Sequence, residues 1–503
     1  MISDACSSKG TIMIKIEAKE ERYLYNAYHM IKAFYASEEV EQCCKKNQKE
    51  DLKLTETDGT SQIFTIDTDH THCVNDIRRE LDRKVYQYLV HRTGKELAWG
   101  MLTGVRPAKL ATKAVEQGVE KTEFIKQFRE EYLVSAEKAG LAYDIAVRER
   151  DVLSELDYKD GYSLYVGIPF CPSVCSYCSF SSGPIDKWRD QIPAYLDALC
   201  KELTYIGKVS SEKKLNTIYI GGGTPTSLDA EQLDQILTCI DQSFSREHLL
   251  EYTVEAGRPD SITEKKLQVI KRHGVTRISV NPQTMQQKTL DRIGRKHSVQ
   301  EVKDIYRMAR KLGFDNINMD LIAGLPGEGL EDMKDTLAQI QELAPDSLTV
   351  HSLAIKRAAQ MGQEKSTLGY VRDLEEQTEH PKRMAETLSA MIECAHETAY
   401  EMELVPYYLY RQKNIAGNFE NVGYAKVDKA GIYNILIMEE KQSIIAAGAG
   451  ASTKIVLPVP VPVPGSRNGK TTTLIRVENV KSIRDYIARI DEMIERKGEW
   501  LWH

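Results

Sequence analysis

The sequence has no long hydrophobic run and no excess of charge of one sign. Its longest apolar stretches are short, such as 432–438 (IYNILIM), whereas a membrane-spanning helix needs about 18 apolar residues or more. The first ten residues, MISDACSSKG, lack the charged and apolar regions of a signal peptide. The net charge is −7, so there is no basic surplus for nucleic acid. We therefore predict a cytoplasmic protein with no membrane span and no nucleic-acid partner.

Cysteine is also scarce, with ten residues in a chain of 503. That number is too small for a disulfide framework. Hydrophobic residues make up 42% and charged residues 28%, which excludes disordered and collagen-like classes. Seven cysteines are scattered, but Cys171, Cys175 and Cys178 lie within eight residues. This crowding is the first feature that composition does not explain.

Three regions differ in pattern. Residues 1–155 form a predicted α+β domain with strands at 11–18 and 62–66 and with helices, the last of them at 132–156. Its most distinctive segment is 99–110 (WGMLTGVRPAKL), which we interpret as a turn that leads into a helix through Gly104 and Pro107.

Residues 156–357 alternate between short apolar runs and amphipathic helices. This alternation predicts an α/β fold, a parallel sheet that forms a partial (β/α)6 barrel. The predicted strands are 164–168, 217–220, 252–255, 277–280, 316–322 and 347–351, and the helices between them are 195–209, 230–240, 264–273, 299–312 and 331–343.

Residues 358–503 form a third, C-terminal α+β region. The pattern predicts a helix at 382–402 and then an aromatic, glycine-rich loop at 407–431. Strands are predicted at 432–438 and 443–447, a rigid proline spacer at 458–465 and a terminal helix at 483–496.

Unusual polar or glycine residues follow five consecutive strands of the predicted barrel. The three cysteines follow the first strand, residues 221–225 (GGGTP) the second, and Glu255 ends the third. Gln283 lies just past the fourth strand, and Asp320 lies in the fifth. Because chemistry in such folds is located at the carboxyl ends of the strands, we expect these residues to form one site.

The spacing C-x3-C-x2-C of Cys171, Cys175 and Cys178 leaves three alternatives open. A zinc site would need a fourth, distant ligand, because structural zinc sites have four. The thiols could also be buried and inert. Three thiolates on one loop suit a [4Fe–4S] cluster whose fourth iron is open to another ligand.

Residues 165–180 (YVGIPFCPSVCSYCSF) strongly resemble the radical S-adenosylmethionine (SAM) superfamily. Within it, the chain resembles the oxygen-independent coproporphyrinogen III oxidase family, and residues 417–426 (GNFENVGYAK) resemble its coproporphyrinogen dehydrogenase-like branch. The resemblance extends over about 163–451 and does not include the first 155 residues.

The resemblance implies roles for individual residues. Cys171, Cys175 and Cys178 match the ligands of the [4Fe–4S] cluster, and Tyr165 and Glu255 are the expected catalytic residues. Gly223 and Thr224 match contacts to a second SAM molecule that some members bind. Positions that match contacts to the first SAM molecule are Tyr165, Tyr177, Gly222, Glu255, Gln283, Arg295, Asp320 and Ala354.

The implied reaction is the oxidative decarboxylation of two propionates of coproporphyrinogen III, which gives protoporphyrinogen IX. A one-electron donor such as flavodoxin or ferredoxin would reduce the cluster, and the substrate is a tetrapyrrole, coproporphyrinogen III or heme. Guanidinium and ammonium groups suit its carboxylates. The candidates are Lys356, Arg357, Arg411 and Lys413, beside the aromatic residues Tyr407, Tyr408, Tyr410, Phe419 and Tyr424.

One position departs from the family's oxidases. These typically carry a further cysteine two residues after the third ligand, where this chain has Phe180. The same phenylalanine is typical of relatives that resemble heme chaperones, which bind SAM and heme without oxidase activity. Heme chaperoning and radical modification of heme therefore stay as alternatives to decarboxylation.

Overall fold

A computed structural model describes most of the chain and shows two large hydrophobic cores and two small apolar clusters. The smaller core lies within residues 14–101 and the larger one within residues 99–501. None of the described helices combines the length and hydropathy that crossing a membrane requires. The described residues are 13–35, 38–66, 74–104, 106–154, 156–180, 182–354, 359, 361, 381–411, 419–463 and 471–502.

The smaller core lies between a four-stranded sheet and two helices. The strand order is β2-β1-β3-β4, in which β1 pairs parallel with β2 and antiparallel with β3. Alternate residues of β3 are buried because one face of the sheet is covered by the helices, and four of the five residues of β1 are buried. The elements are β1 (Ile14–Ala18), α1 (Glu21–Phe34), β2 (Val40–Cys44), β3 (Leu52–Thr55), β4 (Ser61–Phe64) and α2 (Val74–Thr93).

Three further helices connect this unit to the central sheet: α3 (Ala108–Glu116), α4 (Lys121–Tyr132) and α5 (Ala136–Ser154). The predicted helix 132–156 was wrong at its start. Leu133 has φ of 58° and ends α4, and the chain begins a new helix at Ala136. Residues of all three helices contribute to the larger core.

The central sheet contains six neighbouring parallel strands, as predicted. In the described residues its order is β13-β14-β12-β11-β10-β9-β8-β5-β15-β16-β17, and the six strands from β5 to β12 in this order pair parallel. These strands are β5 (Gly161–Ile168), β8 (Lys214–Gly222), β9 (Glu251–Glu255), β10 (Arg277–Ser279), β11 (Ile317–Ala323) and β12 (Ser347–Ser352), with β6 (Phe170–Cys171) and β7 (Gly183–Pro184) forming a separate small sheet.

Helices connect consecutive parallel strands and cover the sheet. Their apolar faces are buried in the larger core, whereas their charged faces are exposed. The helices are α6 (Ile192–Val209), α7 (Ala230–Ser243), α8 (Glu264–Arg272), α9 (Gln287–Arg292), α10 (Val299–Lys311) and α11 (Leu330–Leu343).

The C-terminal region continues the same sheet at both ends. Strand β14 pairs antiparallel with β12, and β15 pairs parallel with β5 on the side opposite to β8. The strand that leads into the cysteine loop therefore has a neighbour on both sides. The elements are α12 (Pro381–Glu401), β13 (Val405–Arg411), β14 (Glu420–Ala425), α13 (Ile432–Glu439), β15 (Ser443–Ala447), β16 (Ser452–Pro462), β17 (Thr471–Glu478), α14 (Ile483–Ala488) and α15 (Ile490–Gly498).

Several predictions for this region were wrong. The described parts of the predicted loop 407–431 lie largely in β13 and β14, and the predicted strand 432–438 is the helix α13. The predicted spacer 458–465 lies partly in β16, whose Val461 pairs with Thr472 of β17. The predicted terminal helix 483–496 is two helices, separated at Arg489.

Candidate cofactor site

The three crowded cysteines lie on the loop that follows β5. Cys171 ends the short strand β6, Cys175 is buried, and the backbone N–H of Cys178 donates to the carbonyl of Cys175 at 3.0 Å. The pKa of the Cys171 thiol is raised to about 11, mainly by burial; a hydrogen bond with Ser182 opposes this rise, and the nearby Cys178 adds to it. The thiols therefore lie close enough to influence one another's charge.

Within the described residues, no three Cys, His, Asp or Glu side chains converge closely enough to hold a single metal ion. Each thiolate of a [4Fe–4S] cluster ligates a different iron, so its sulfurs do not meet at one point. The donor set of Cys171, Cys175 and Cys178 thus fits a cluster better than it fits a zinc ion.

Two buried guanidinium groups lie beside Cys175. Nη1 of Arg258 is 3.4 Å from the Cys175 Sγ atom and 2.9 Å from the carbonyl of Ser173, to which it donates. Arg295 donates to the carbonyl of Asn281 at 2.5 Å. Burial lowers the pKa of Arg295, but the neighbouring Tyr177 and Cys175 raise it overall. Positive charge at this position suits thiolates that carry a negatively charged cluster.

A second segment holds the cysteine loop from the opposite side. The backbone N–H of Ser176 donates to the carbonyl of Ile293 at 3.2 Å, and the hydroxyl of Ser173 donates to the carbonyl of Gly294 at 3.2 Å. The Tyr177 ring packs against a small apolar cluster that includes Ile293. The loop conformation is therefore fixed by the protein itself.

The glycine run after β8 lies directly against this loop. The N–H of Gly223 donates to the carbonyl of Ile168 and the N–H of Thr224 to that of Phe170, both at 2.7 Å. A Cβ on Gly223 would lie 2.4 Å from the Phe170 oxygen, so a larger residue is excluded there. Gly222 has φ of +112°, which glycine adopts readily. The GGGTP segment and the cysteine loop therefore form one unit.

Glu255 lies at the end of β9 with its carboxylate beside β8. The Tyr219 hydroxyl donates a hydrogen bond to it. Burial raises the pKa of Glu255 to about 7; the Tyr219 and Gly222 hydrogen bonds lower it, whereas Asp320 raises it. The two carboxylates predicted to contact SAM are thus close enough to interact.

Three tyrosine rings stack beside Glu255. The Tyr219 ring lies 4.4 Å from that of Tyr433, and the Tyr165 ring lies 6.3 Å from each of them, all with interplanar angles of 20° or less. Burial raises the pKa of Tyr165, and the charge of Glu255 adds to this shift. The stack forms an apolar wall at this side of the site.

Gln283 and Asp320 are joined through their backbones. The N–H of Gln283 donates to the carbonyl of Asp320 at 2.9 Å. Gln283 has φ of 70°, a left-handed conformation that costs roughly 1–2 kcal/mol for residues other than glycine. Such strain is concentrated at functional sites, so its presence here agrees with a role for Gln283.

The Asp320 carboxylate lies between two other polar side chains. Asn318 donates to its Oδ1 at 2.7 Å, and Nε2 of His351 is 4.0 Å from its Oδ2. Nδ1 of His351 lies 3.1 Å from the Tyr410 hydroxyl. Burial lowers the pKa of His351, although Asp320 opposes this shift. Asp320 is therefore held by contacts from β11 itself and from β12.

The predicted site residues lie at one edge of the sheet, as expected from the strand ends. Tyr177 and Arg295 adjoin the cysteines, whereas Tyr165, Glu255 and Asp320 form a second group around the Glu255 carboxylate. Thr224 is buried and approaches the Glu255 carbonyl at 3.5 Å. Ala354 follows β12 and packs against the larger core. The structure thus brings together the residues that the strand pattern selected.

The residues expected to pair with the substrate's carboxylates are placed differently. Arg411 is buried, donates to the carbonyl of Leu102 at 3.0 Å and lies 5.6 Å above the Trp99 ring. The expectation for Lys356, Arg357 and Lys413 falls outside the described residues. Arg411 therefore joins segment 99–110 to the central sheet.

Four residues near the site were missed in the sequence: Tyr219, Arg258, His351 and Tyr433. Arg258 follows the third strand of the barrel by three residues, so the rule that found Glu255 would also have found it. Tyr433 had no usable sequence pattern, because its segment was predicted to be a strand.

Known proteins resemble the chain over different lengths. A model described as the Radical SAM superfamily matches residues 165–340. The chain is 40% identical over 394 residues to the oxygen-independent coproporphyrinogen-III oxidase-like protein HemZ of Bacillus subtilis (strain 168), covering 77% of this chain and 76% of HemZ. This similarity extends over most of both proteins.

Two other relatives match a smaller part. The heme chaperone HemW of Bacillus subtilis (strain 168) is 36% identical over 200 residues, which are 39% of this chain and 51% of HemW. The oxygen-independent coproporphyrinogen III oxidase of Salmonella typhimurium (strain LT2) is 30% identical over 192 residues, which are 38% of this chain and 42% of the oxidase. The partial matches include a chaperone and an oxidase.

Proposed function

Because the chain belongs to the radical SAM family of oxygen-independent coproporphyrinogen III oxidase-like proteins, we propose that it decarboxylates coproporphyrinogen III oxidatively to protoporphyrinogen IX. Membership of this family implies a [4Fe–4S] cluster and SAM. One observation supports the proposal: the cysteine loop follows β5, and the interacting carboxylates of Glu255 and Asp320 lie on β9 and β11 of the same parallel sheet.

The three cysteines would hold the cluster, and the polar residues around Glu255 and Asp320 would hold SAM. When bound, the cluster and SAM supply one-electron reduction and hydrogen-atom abstraction. The ionised carboxylate of Glu255 would attract the cationic part of SAM, and Asp320, Gln283 and Arg295 would orient its polar groups. Hydrogen bonds within the protein hold the side chains of Glu255, Asp320 and Arg295 in fixed positions, and a backbone hydrogen bond to Asp320 holds the main chain of Gln283. Fixed positions lower the cost of orienting a ligand.

The protein's second task is to exclude water from the reacting groups. The stacked rings of Tyr165, Tyr219 and Tyr433 present an apolar wall next to Glu255. A dry site protects a reactive species from side reactions. A one-electron donor such as flavodoxin or ferredoxin would supply the reducing electron, and a second SAM molecule at Gly223 and Thr224 stays a prediction.

A second candidate function is heme binding and transfer. Phe180 occupies the position of the oxidases' additional cysteine, and its side chain is 74% exposed. An exposed phenylalanine at the rim suits contact with a flat macrocycle. The similarity to heme chaperones also favours this alternative.

Anaerobic turnover separates the candidates. The reconstituted protein is incubated with SAM, a reductant and coproporphyrinogen III, and the porphyrins are separated by chromatography. Protoporphyrinogen with release of two CO2 supports the proposal. Stoichiometric heme binding without either product would support the chaperone, and a ring-opened or methylated product from heme would support a heme-modifying enzyme.

A further inference from the structure

Arg258 is a charged residue that contacts Cys175, a cysteine of the proposed cluster, and the proposed function gives it no role. It lies three residues beyond the end of β9, in the segment AGRPD. Its side chain is 5% exposed. Nη1 points to the Cys175 Sγ atom at 3.4 Å and donates to the Ser173 carbonyl at 2.9 Å, while Nη2 donates to the Ser173 hydroxyl at 3.0 Å.

The guanidinium is fixed from its other side by one carboxylate. Asp260 accepts from Nε at 2.9 Å and from Nη2 at 2.7 Å. A bidentate pair of this kind holds the planar group in a single orientation. The remaining nitrogen, Nη1, is thereby directed at the cysteine loop. The contacts of Arg258 exceed what the fold of the loop requires, because backbone carbonyls of residues 293–294 already accept hydrogen bonds from Ser173 and Ser176.

We propose that Arg258 is a positioning residue that stabilises the reduced form of the cluster through its charge and its N–H group at Cys175. Asp260 sets the strength of this effect, because it partly neutralises the guanidinium. The inference rests on the cluster at Cys171, Cys175 and Cys178 in the proposed function, but it does not depend on the tetrapyrrole substrate.

The physical reason is the change of charge on reduction. One electron from the donor converts a [4Fe–4S]2+ core to a [4Fe–4S]+ core, so the cluster and its thiolates become more negative by one charge. A nearby positive charge, and a hydrogen bond to a ligating sulfur, favour the more negative form and raise the reduction potential. In a buried site these interactions are weakly screened by solvent.

The test compares variants that should change the ratio of reduced to oxidised cluster in opposite directions, in the anaerobically reconstituted protein. In Arg258→Gln, the ratio of reduced to oxidised cluster at the wild-type midpoint should fall about tenfold, which corresponds to a shift of about 59 mV for a one-electron couple. Asp260→Asn should raise this ratio, because the guanidinium loses its counter-charge. Arg258→Lys keeps the positive charge and should retain most of the wild-type ratio.

The measurement is a reductive titration followed by electron paramagnetic resonance, with iron and sulfide content determined for each variant. Arg272→Gln is the matched control, because it removes the same charge from an exposed site on α8 and should leave the ratio unchanged. If Arg258→Gln does not retain a cluster, Asp260→Asn still decides the sign of the effect, and Arg258→Lys still tests whether the positive charge is sufficient.

Two results would overturn the inference in distinguishable ways. An unchanged ratio in all cluster-loaded variants, or the same sign for Arg258→Gln and Asp260→Asn, would refute the role of Arg258 alone. A wild-type protein without iron and sulfide after reconstitution would refute the proposed function together with it.

Discussion

The Tyr219 hydroxyl on β8 donates a hydrogen bond to the carboxylate of Glu255 on the neighbouring strand β9. Burial nevertheless raises the pKa of Glu255 to about 7, against an ordinary value of 4.5. The folded protein therefore binds one more proton than the unfolded chain between these pH values. Glu255 is neutral in weakly acidic solution and charged above about pH 7.

This difference predicts how stability changes with pH. Because the pKa is raised in the folded state, Glu255 makes its largest contribution to the free energy of unfolding below pH 4.5. This contribution falls as the pH rises to about 7 and is constant at higher pH. In Glu255→Gln this decline should be absent. Tyr219→Phe should extend the decline to higher pH, since the hydrogen bond that lowers the pKa is lost. Urea unfolding of the apoprotein from pH 4.5 to 8 measures both; identical pH profiles in all three proteins would contradict the assignment.

Glu255→Gln should also weaken SAM binding more than cluster assembly. The amide cannot attract the sulfonium cation, whereas the cysteine loop does not use this carboxylate. We expect at least a tenfold rise in the Kd for SAM by anaerobic calorimetry, with unchanged iron content. Wild-type Kd should fall as pH rises from 6 to 7.5, and the variant's should not. Equal SAM affinity in both proteins would exclude Glu255 from the binding site.

Single replacement of Cys171, Cys175 or Cys178 by alanine should abolish the visible absorbance of the cluster and reductive cleavage of SAM. Three protein ligands leave no replacement thiolate when one is lost. The matched control is Cys44→Ala, at an exposed position in β2. Full iron and sulfide in any of the three variants, measured after reconstitution, would show that its cysteine is not a ligand.

A buried ion pair joins the last helix, α15, to helix α6 and leads to a prediction about stability. Lys497 and Glu202 both have fully buried side chains and contact each other. Glu202 also accepts from Tyr486 at 2.5 Å and Asn479 at 2.9 Å. Lys497→Met leaves a buried carboxylate without its cation and should lower the free energy of unfolding by about 3–5 kcal/mol.

The control for this substitution is Lys201→Met. Lys201 precedes Glu202 in the chain and pairs with Asp491 in an exposed position, so its loss should cost about 0–1 kcal/mol. Urea unfolding at neutral pH measures the loss of stability in both variants. Similar values for the two variants would mean that the buried pair contributes no more than the exposed one.

Trp99→Phe should destabilise the contact between segment 99–110 and the central sheet. Trp99 Nε1 donates to the buried carboxylate of Glu420 at 2.6 Å, and phenylalanine cannot replace this donor. An unsatisfied buried acceptor costs about 1–3 kcal/mol. Lys138 pairs with Glu420 and also with the exposed Glu137. The control Glu137→Gln should therefore change the free energy of unfolding by about 0.5 kcal/mol or less. No difference between the variants would contradict this reading.

The parallel part of the sheet was predictable from local patterns. Alternating strands and helices determined the order of the elements, and Glu255 and Asp320 were identified by their positions on strands. The strands β13 and β14 were missed because most of their residues are buried, so no polar residue alternates with an apolar one.

Helix α13 was missed for a different reason. Its short apolar sequence suits a strand or a helix equally well. The start of the helix is set by Glu251, whose carboxylate accepts from the N–H of Ile432 at 2.6 Å. Because this partner is 181 residues distant in the chain, no local pattern contains it. The same holds for Arg258 and Cys175, which are 83 residues apart.

The pairing of β5 with β15 also constrains the order of events during protein synthesis. Strand β5 leads into the cysteine loop, but one of its two neighbours is formed by residues 443–447. While the ribosome is still translating the middle of the chain, that side of β5 is an open edge with unpaired backbone groups. Native closure of the sheet must wait until residues 443–447 have been made. A nascent chain stalled before residue 443 would therefore present its cysteines on an incomplete sheet, exposed to premature oxidation and to pairing with other chains.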